Sequence, residues 1–250
     1  MKVFAVEEKV FERLPDYCLG VVIAEGINNR GAQTAIAAML DGNVREFEER
    51  FAGQDVRELP NVKAYREAFR SLDMNPNKFM CSIEALTKRV QKGNPLPHIN
   101  PIVDIGNALS VKYQLALGAH DIDRMEMEGL AVRFSTEQDS FLPMGETQSE
   151  TMPAGELVYV SGHTVKTRRW LWRQSDDGKI TEETATVFFP IDGFSSLNRD
   201  AVFQARDELA ETLKNIFGCS VKTAFVDREH PAVELFICDN AFSFYPLRNG

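Results

Sequence analysis

The chain has 250 residues, of which 44 % are hydrophobic and 26 % charged, with a formal net charge of −9. Such proportions exclude a disordered or fibrous protein, and the length allows one large domain or two small ones. The acidic balance repels a phosphate backbone at long range, so any nucleic-acid contact has to be weak and to rest on a local basic patch.

Val3 to Val6 followed by Glu7, Glu8 and Lys9 lacks the layout of a signal peptide. No run approaches the roughly 18 apolar residues of a membrane span, so the expectation is a cytoplasmic protein without membrane contact. Leu19 to Glu25 reads as a strand. Helical spacing follows in Val44, Phe47 and Phe51, in Val62, Tyr65, Phe69 and Leu72, and in Ile83, Leu86 and Val90. Ile102, Ile105, Leu109 and Tyr113 predict a further helix entered at Pro101, which suits a first-turn position because it has no N–H to leave unsatisfied.

The second half changes character. Leu130 to Phe134, Glu156 to Val160, Thr164 to Trp172 and Thr184 to Ile191 are short β-type runs, and 138–155 reads as one long irregular loop. Asp200 is the expected N-cap of a helix carrying Val202, Ala205, Leu209, Leu213 and Ile216 and stopped by Gly218. Val221 to Val226 and Glu234 to Cys238 read as closing strands. The fold class is α+β, expected as one domain over 1–250, because no linker or repeat interrupts the chain.

Cys18, Cys81, Cys219 and Cys238 are far apart, and none of the four histidines stands in a metal-binding spacing. No phosphate loop, dinucleotide fingerprint or nucleophile elbow is present, so neither a metal nor a cofactor is expected. Three polar clusters remain. Asn100, Asp104 and Asn107 fall on neighbouring turns of one helix, where they either line a pocket or cap the helix. Lys166, Arg168, Arg169 and Arg173 are interleaved with Trp170 and Trp172. As a regular strand this segment sets Arg169, Leu171 and Arg173 on one face and the tryptophans on the other. Guanidinium groups and indoles suit phosphates and bases, while the other reading has buried tryptophans and arginines paired with Asp176, Asp177 or Glu182. Lys88, Arg89 and Lys92 close a helix whose dipole they offset, and Arg66, Arg70, Ser82 and Glu84 are candidates to lie nearby.

The segments "NPNKFMCSIEALTKRV", "LPHINPIVDIGNALS", "AHDIDRMEMEG", "GELVYVSGHTVKTRRWLWRQ" and "ITEETATVFF" occur in one colinear order. Together they resemble the editing and tRNA-binding domain of the phenylalanyl-tRNA synthetase β subunit, built from its modules B-three and B-four. They are closer still to standalone bacterial proteins consisting of that domain alone. The resemblance covers about Leu19 to Gly193 and implies a single α+β domain of stacked sheet and helix layers. In the synthetase this domain hydrolyses the ester of tyrosine wrongly attached to the phenylalanine tRNA, a reaction that needs a positioned water and no covalent nucleophile.

Aligned on Asn107 and Asp121, the synthetase's pocket threonine falls on Gly106 and its editing-site histidine on Gly118, while His120 takes a phenylalanine position. The glycine-rich pocket turn falls near Trp172 to Gln174, and the later pocket glutamate near Pro190, with Asp192 two residues beyond. The resemblance therefore implies either a free-standing hydrolase of misacylated tRNA or a non-catalytic module binding tRNA, an aminoacyl group or a nucleotide. On the first reading Asp104 and Asn107 are the expected catalytic groups. Asn100, Gly118, His120, Arg169, Trp170, Arg173 and Thr184 are the expected substrate contacts, and tRNA or aminoacyl-tRNA is the expected partner.

Overall fold

The computed structural model describes residues 2–236. In chain order the elements are β1 (Val3–Val6), α1 (Glu8–Arg13), β2 (Tyr17–Glu25), α2 (Thr34–Arg50), a 3-10 turn (Val56–Glu58), α3 (Pro60–Ser71), α4 (Ser82–Gln91) and α5 (Pro101–Tyr113). The strands β3 (Ala116–Leu117), β4 (His120–Asp121), β5 (Gly129–Phe134), β6 (Ser140–Phe141), β7 (Glu150–Thr151), β8 (Leu157–Ser161), β9 (Thr164–Arg168), β10 (Arg173–Gln174) and β11 (Thr186–Phe194) follow. Helix α6 (Arg199–Phe217) and strands β12 (Ser220–Val226) and β13 (Ala232–Glu234) complete an α+β fold.

Two sheets organise these elements. One has the order β13-β1-β5-β8-β9-β6-β7 with β10 paired to β9, and the other β12-β2-β11-β3 with β4 also paired to β11. Strand β2 is central to the second sheet and is covered on both sides, which explains why it reads as an unbroken apolar run rather than an alternation. Leu19, Val21 and Ile23 pack with Phe4 and Tyr159 from the first sheet and with Trp170 from the turn after β9. Val22 and Ala24 pack instead with Ile102, Ile105 and Leu109 of α5 and with Val202 and Leu209 of α6. A further apolar cluster joins α2, α3, α4 and α5 through Leu40, Phe47, Val62, Val90 and Ala108.

Several expectations are corrected. The strand expected from Thr164 to Trp172 ends at Arg168, because Arg169 and Trp170 both take left-handed conformations with φ of 48° and 56°. The resulting turn breaks the alternation, so Trp170 enters the core while Trp172 packs at the edge on Phe79. Asn198, not Asp200, occupies the N-cap position of α6, and its Oδ1 accepts from the Phe194 N–H at 2.7 Å. Thr184 precedes β11 rather than starting it. The irregular stretch 138–155 contributes β6 and β7 to the rim of the first sheet. The closing strand expected from Glu234 to Cys238 ends at Glu234, and Cys238 lies outside the described residues.

Helix α6 approaches β2 and β11 where both carry glycine. A Cβ on Gly193 would lie 2.4 Å from Val202 Cγ2 and 2.8 Å from Asn198 Oδ1, whereas one on Gly42 in α2 would meet nothing within 4 Å. Gly193→Ala is therefore expected to destabilise the protein by about 1–3 kcal/mol through overpacking. Gly42→Ala is expected to be neutral or to stabilise by roughly 0.5–1 kcal/mol. Denaturant midpoints of the two variants check both.

Candidate functional site

Between α5, the β3–β4 edge, the β8–β9 pair and the turn leading into β10 lies a cavity of about 210 Å³. That is below the roughly 300–1,000 Å³ of pockets that take drug-sized ligands, and it suits a group of amino-acid size. Its walls are largely apolar, with Ile102, Val103, Leu117, Leu171 and Ile180, while Asn107, His120, Arg173, Gln174 and Asp192 supply polar chemistry.

The sheet geometry explains which groups reach it. In β11, Val187, Phe189 and Ile191 face the helices, so Phe188, Pro190 and Asp192 face the first sheet. Ala116 pairs opposite Asp192, the Gly118 N–H bonds the Pro190 carbonyl at 3.0 Å, and His120 pairs opposite Phe188. Gly118 and Pro190 thus form a low floor, with His120 at one end and Asp192 at the other. The backbones of these two residues stand about 13 Å apart along the strands at roughly 3.3 Å per residue.

Asp192 is 1 % exposed and carries the densest polar contacts of the site. Its Oδ1 accepts from the Tyr17 hydroxyl, from the Tyr159 hydroxyl at 2.7 Å and from the Trp170 indole N–H at 3.1 Å. The Tyr65 hydroxyl donates to its backbone carbonyl at 2.6 Å and accepts from the Ala116 N–H at 3.1 Å. Burial raises the Asp192 carboxyl to about 6, even though the three donors work in the other direction. Burial likewise pushes the hydroxyls of Tyr17, Tyr65 and Tyr159 well above the ordinary phenol range, so all three remain donors at neutral pH.

His120 is 3 % exposed, stacks on Tyr159 at 5.4 Å and has no hydrogen-bond partner at Nδ1. Burial, helped by the nearby Lys166 charge, lowers its pKa to about 3. The ring is therefore neutral near pH 7 and a weak base, better fitted to orient a water or ligand than to take a proton. A Cβ on Gly118 would lie 3.7 Å from His120 Nε2, so the imidazole borders the space left by that glycine.

Of the residues expected at the site, the cavity brings together Asn107, Gly118, His120, Trp170 and Arg173. Asn100 instead caps α5, its Oδ1 accepting from the Val103 N–H at 3.0 Å. Asp104 holds the segment before the helix, accepting from the Ile99 N–H at 2.8 Å and lying 3.0 Å from His98 Nδ1, and it does not line the cavity. Thr184 is buried and donates to Asp121. Arg169 pairs with Glu156 and stacks over Phe79 at 3.9 Å. Arg168 pairs with Glu150 and Glu156, and Lys166 with Asp177, so the partners named for the arginines from sequence are corrected. Arg173 remains exposed beside Trp172 at the cavity mouth, with no ion pair among the described residues. Further along, Arg66 and Lys88 converge on the buried Glu84 at 2.7 Å and 2.6 Å.

Reasoning from sequence singled out neither Tyr17 nor Tyr159 and noted Asp192 only by position. The available signal was one acid inside the apolar run "TVFFPIDGF", a strand buried from Val187 to Phe194 with the acid included. Among the described residues no group of three His, Cys, Asp or Glu side chains is placed to hold a metal. Cys18, Cys81 and Cys219 are buried free thiols, and burial raises the first two to about 11 and about 12. No described helix is long and apolar enough to cross a membrane.

These features describe an α+β fold with an amino-acid-sized cavity between a sheet edge and a helix. Residues 64–218 match the B3/4 domain, and the chain belongs to that family. No curated protein sequence matches it. Among solved structures it is similar to an N-terminal fragment of the phenylalanyl-tRNA synthetase β-subunit from Pyrococcus horikoshii, at 12 % identity and a TM-score of 0.45. That alignment covers 87 % of this chain and 49 % of the fragment, so the chain spans about half the length of that relative.

The two buried titratable groups act oppositely on stability. The lowered pKa of His120 means that the folded state binds fewer protons than the unfolded chain. Its contribution is complete above pH 6.5 and is lost as pH falls toward about 3. The raised pKa of Asp192 gives a contribution present below about pH 4 and lost as pH rises through about 6. Between pH 7 and pH 5 the His120 effect amounts to about 2 kcal/mol. His120→Gln is therefore expected to lose about that much less stability than the parent on acidification, as read from urea midpoints at the two pH values.

Proposed function

We propose that this chain hydrolyses the ester bond of a misacylated tRNA, with the aminoacyl group in the cavity. The observation that carries the reading is the placement of His120 and Asp192. Each stands two residues beyond the position at which the resemblance puts the synthetase's histidine and glutamate. A shift of two residues along a strand keeps a side chain on the same face, so the polar groups vacated at Gly118 and Pro190 return to the same cavity from the neighbouring positions. Asn107 and His120 then orient a water. Its oxygen bonds to the ester carbonyl carbon as the bond to the ribose oxygen breaks. One proton ends on the ribose hydroxyl and the other is released with the carboxylate product. Arg173 and Trp172 at the mouth suit the phosphate and base of the tRNA end. The single-domain organisation expected from the sequence belongs to the same proposal, and limited proteolysis leaving no separately folding fragment checks it.

The alternative is binding without catalysis, and one observation favours it: the imidazole in the cavity is too weak a base to draw a proton from water efficiently at neutral pH. A panel of correctly and incorrectly charged tRNAs distinguishes the two. Hydrolysis is expected for at least one mischarged species, reduced roughly 10²-fold in Asn107→Ala, on the scale of losing one positioning hydrogen bond. In His120→Ala the loss is expected to stay within about tenfold, because Asn107 still holds the water and the ring takes no proton. Retention of every ester, with measurable tRNA binding weakened by Arg173→Ala, would establish the binding module instead.

A further inference from the structure

The cavity holds a buried carboxylate, that of Asp192, which forms no ion pair among the described residues. The partners of Asp192 Oδ1 are two phenol hydroxyls and one indole N–H, all neutral. All three converge on the one oxygen, Oδ2 has no side-chain donor among the described residues, and the residue lines the cavity. Neither cation near the site pairs with it: Lys166 pairs with Asp177 and donates to the Arg124 carbonyl, and Arg173, itself unpaired among the described residues, lies exposed against the Trp172 ring at the mouth. A buried carboxylate without a counter-charge is costly unless something else brings the charge. Around it the walls are apolar, with Leu117, Leu171 and Pro190 among them. Such a surface accepts a short hydrocarbon chain and has one anionic anchor.

We propose that Asp192 is the recognition group for a primary ammonium carried by the aminoacyl group in the cavity. The inference rests on the reading that the cavity takes an aminoacyl group, and it adds that the group is held by its cationic nitrogen. Two sources supply that chemistry, the α-ammonium of any amino acid and the terminal ammonium of a basic side chain. The floor of Gly118 and Pro190 between Asp192 and His120 gives room for either. In the first case the ester lies near Asp192 and away from His120, which agrees with the small loss expected for His120→Ala. In the second the hydrocarbon stem lies along the floor, and the ester lies toward His120.

Three amides of equal chain length separate these cases without offering an ester to hydrolyse: hexanamide, norleucinamide and 6-aminohexanamide. Titration calorimetry at pH 7.5 with the whole chain is expected to show one amine binding at least about tenfold more tightly than hexanamide, as a hydrogen bond to a charged group implies. Preference for norleucinamide identifies the α-ammonium, and preference for 6-aminohexanamide the side-chain ammonium. In Asp192→Asn, whose amide oxygen can still accept from Tyr17, Tyr159 and Trp170, the preference is expected to vanish while hexanamide binding is kept.

Equal binding of all three by the parent protein, binding of none, or an ammonium preference that survives Asp192→Asn overturns the proposal. The parent comparison needs no variant and so stands if Asp192→Asn does not fold. A protein that hydrolyses mischarged tRNA without preferring the amines retains the proposed function and loses this inference. One that prefers the amines and hydrolyses nothing retains the inference and loses the catalytic reading.

Discussion

Asp192 lies on β11 of one sheet, and its Oδ1 gathers donors from Tyr17 on β2, from Tyr159 on β8 of the other sheet and from Trp170 in the turn after β9. Tyr65 of α3 adds a bond to the Asp192 carbonyl and holds the Ala116 N–H. Five segments distant in sequence therefore meet around one residue, inside the cluster that packs Phe4, Tyr17, Tyr159, Trp170 and Phe188. Hydrogen bonds to an ionised group contribute roughly 1.5–3 kcal/mol each, and a lost partner leaves buried charge uncompensated. The relative position of the sheets, and with it the cavity between the β3–β4 edge and the β9–β10 turn, follows from these bonds.

The turn is the second constraint. Two adjacent left-handed residues, Arg169 and Trp170, cost roughly 1–2 kcal/mol each. What offsets them is visible: the Trp170 side chain is wholly buried, its backbone N–H bonds the Leu157 carbonyl at 2.6 Å, and the Ser82 N–H bonds the Leu171 carbonyl at 2.9 Å. Arg169 is held by Glu156 and lies over Phe79 and Trp172. The strained turn thus brings Trp170 to Asp192 and, two residues on, leaves Trp172 and Arg173 at the mouth. A continuous strand would have placed the two tryptophans on one face and denied Asp192 its indole donor.

Much of the fold was legible in the sequence, because periodicity reports burial. Helices α3, α4, α5 and α6 and strands β2, β5, β8, β9 and β12 follow from their apolar spacing, and Pro101 and Gly218 mark helix limits that the structure retains. The two-residue strands β3, β4, β6, β7 and β10 were illegible, since a pair of residues carries no period and the pairing comes from the partner strand. At the site the limits were different. Asn100 and Asp104 share a helix with Asn107 and read as one cluster, yet local backbone N–H groups at Val103 and Ile99 compete for their oxygens. Asp192 was noted only by its position because its importance comes from tyrosines 175 and 33 residues away.

Charge completes the argument from structure to partner. The basic segment looks like a phosphate-binding strip when written as sequence, but in three dimensions Glu150 and Glu156 engage Arg168 and Arg169, and Asp177 engages Lys166. Those pairs fix the β9–β10 turn rather than offering free cations. With a net charge of −9, any attraction for RNA near the mouth, as the proposed function requires, would fall to Arg173 and the stacking face of Trp172. On the proposed function, a nucleic acid held by so few contacts would release few counterions, and its binding would be shallow in salt dependence. Under those conditions selectivity has to come from the group that enters the cavity, where the field of Asp192 is least screened by water. On that proposal, the buried carboxylate that bonds the two sheets together is also the group placed to discriminate among ligands.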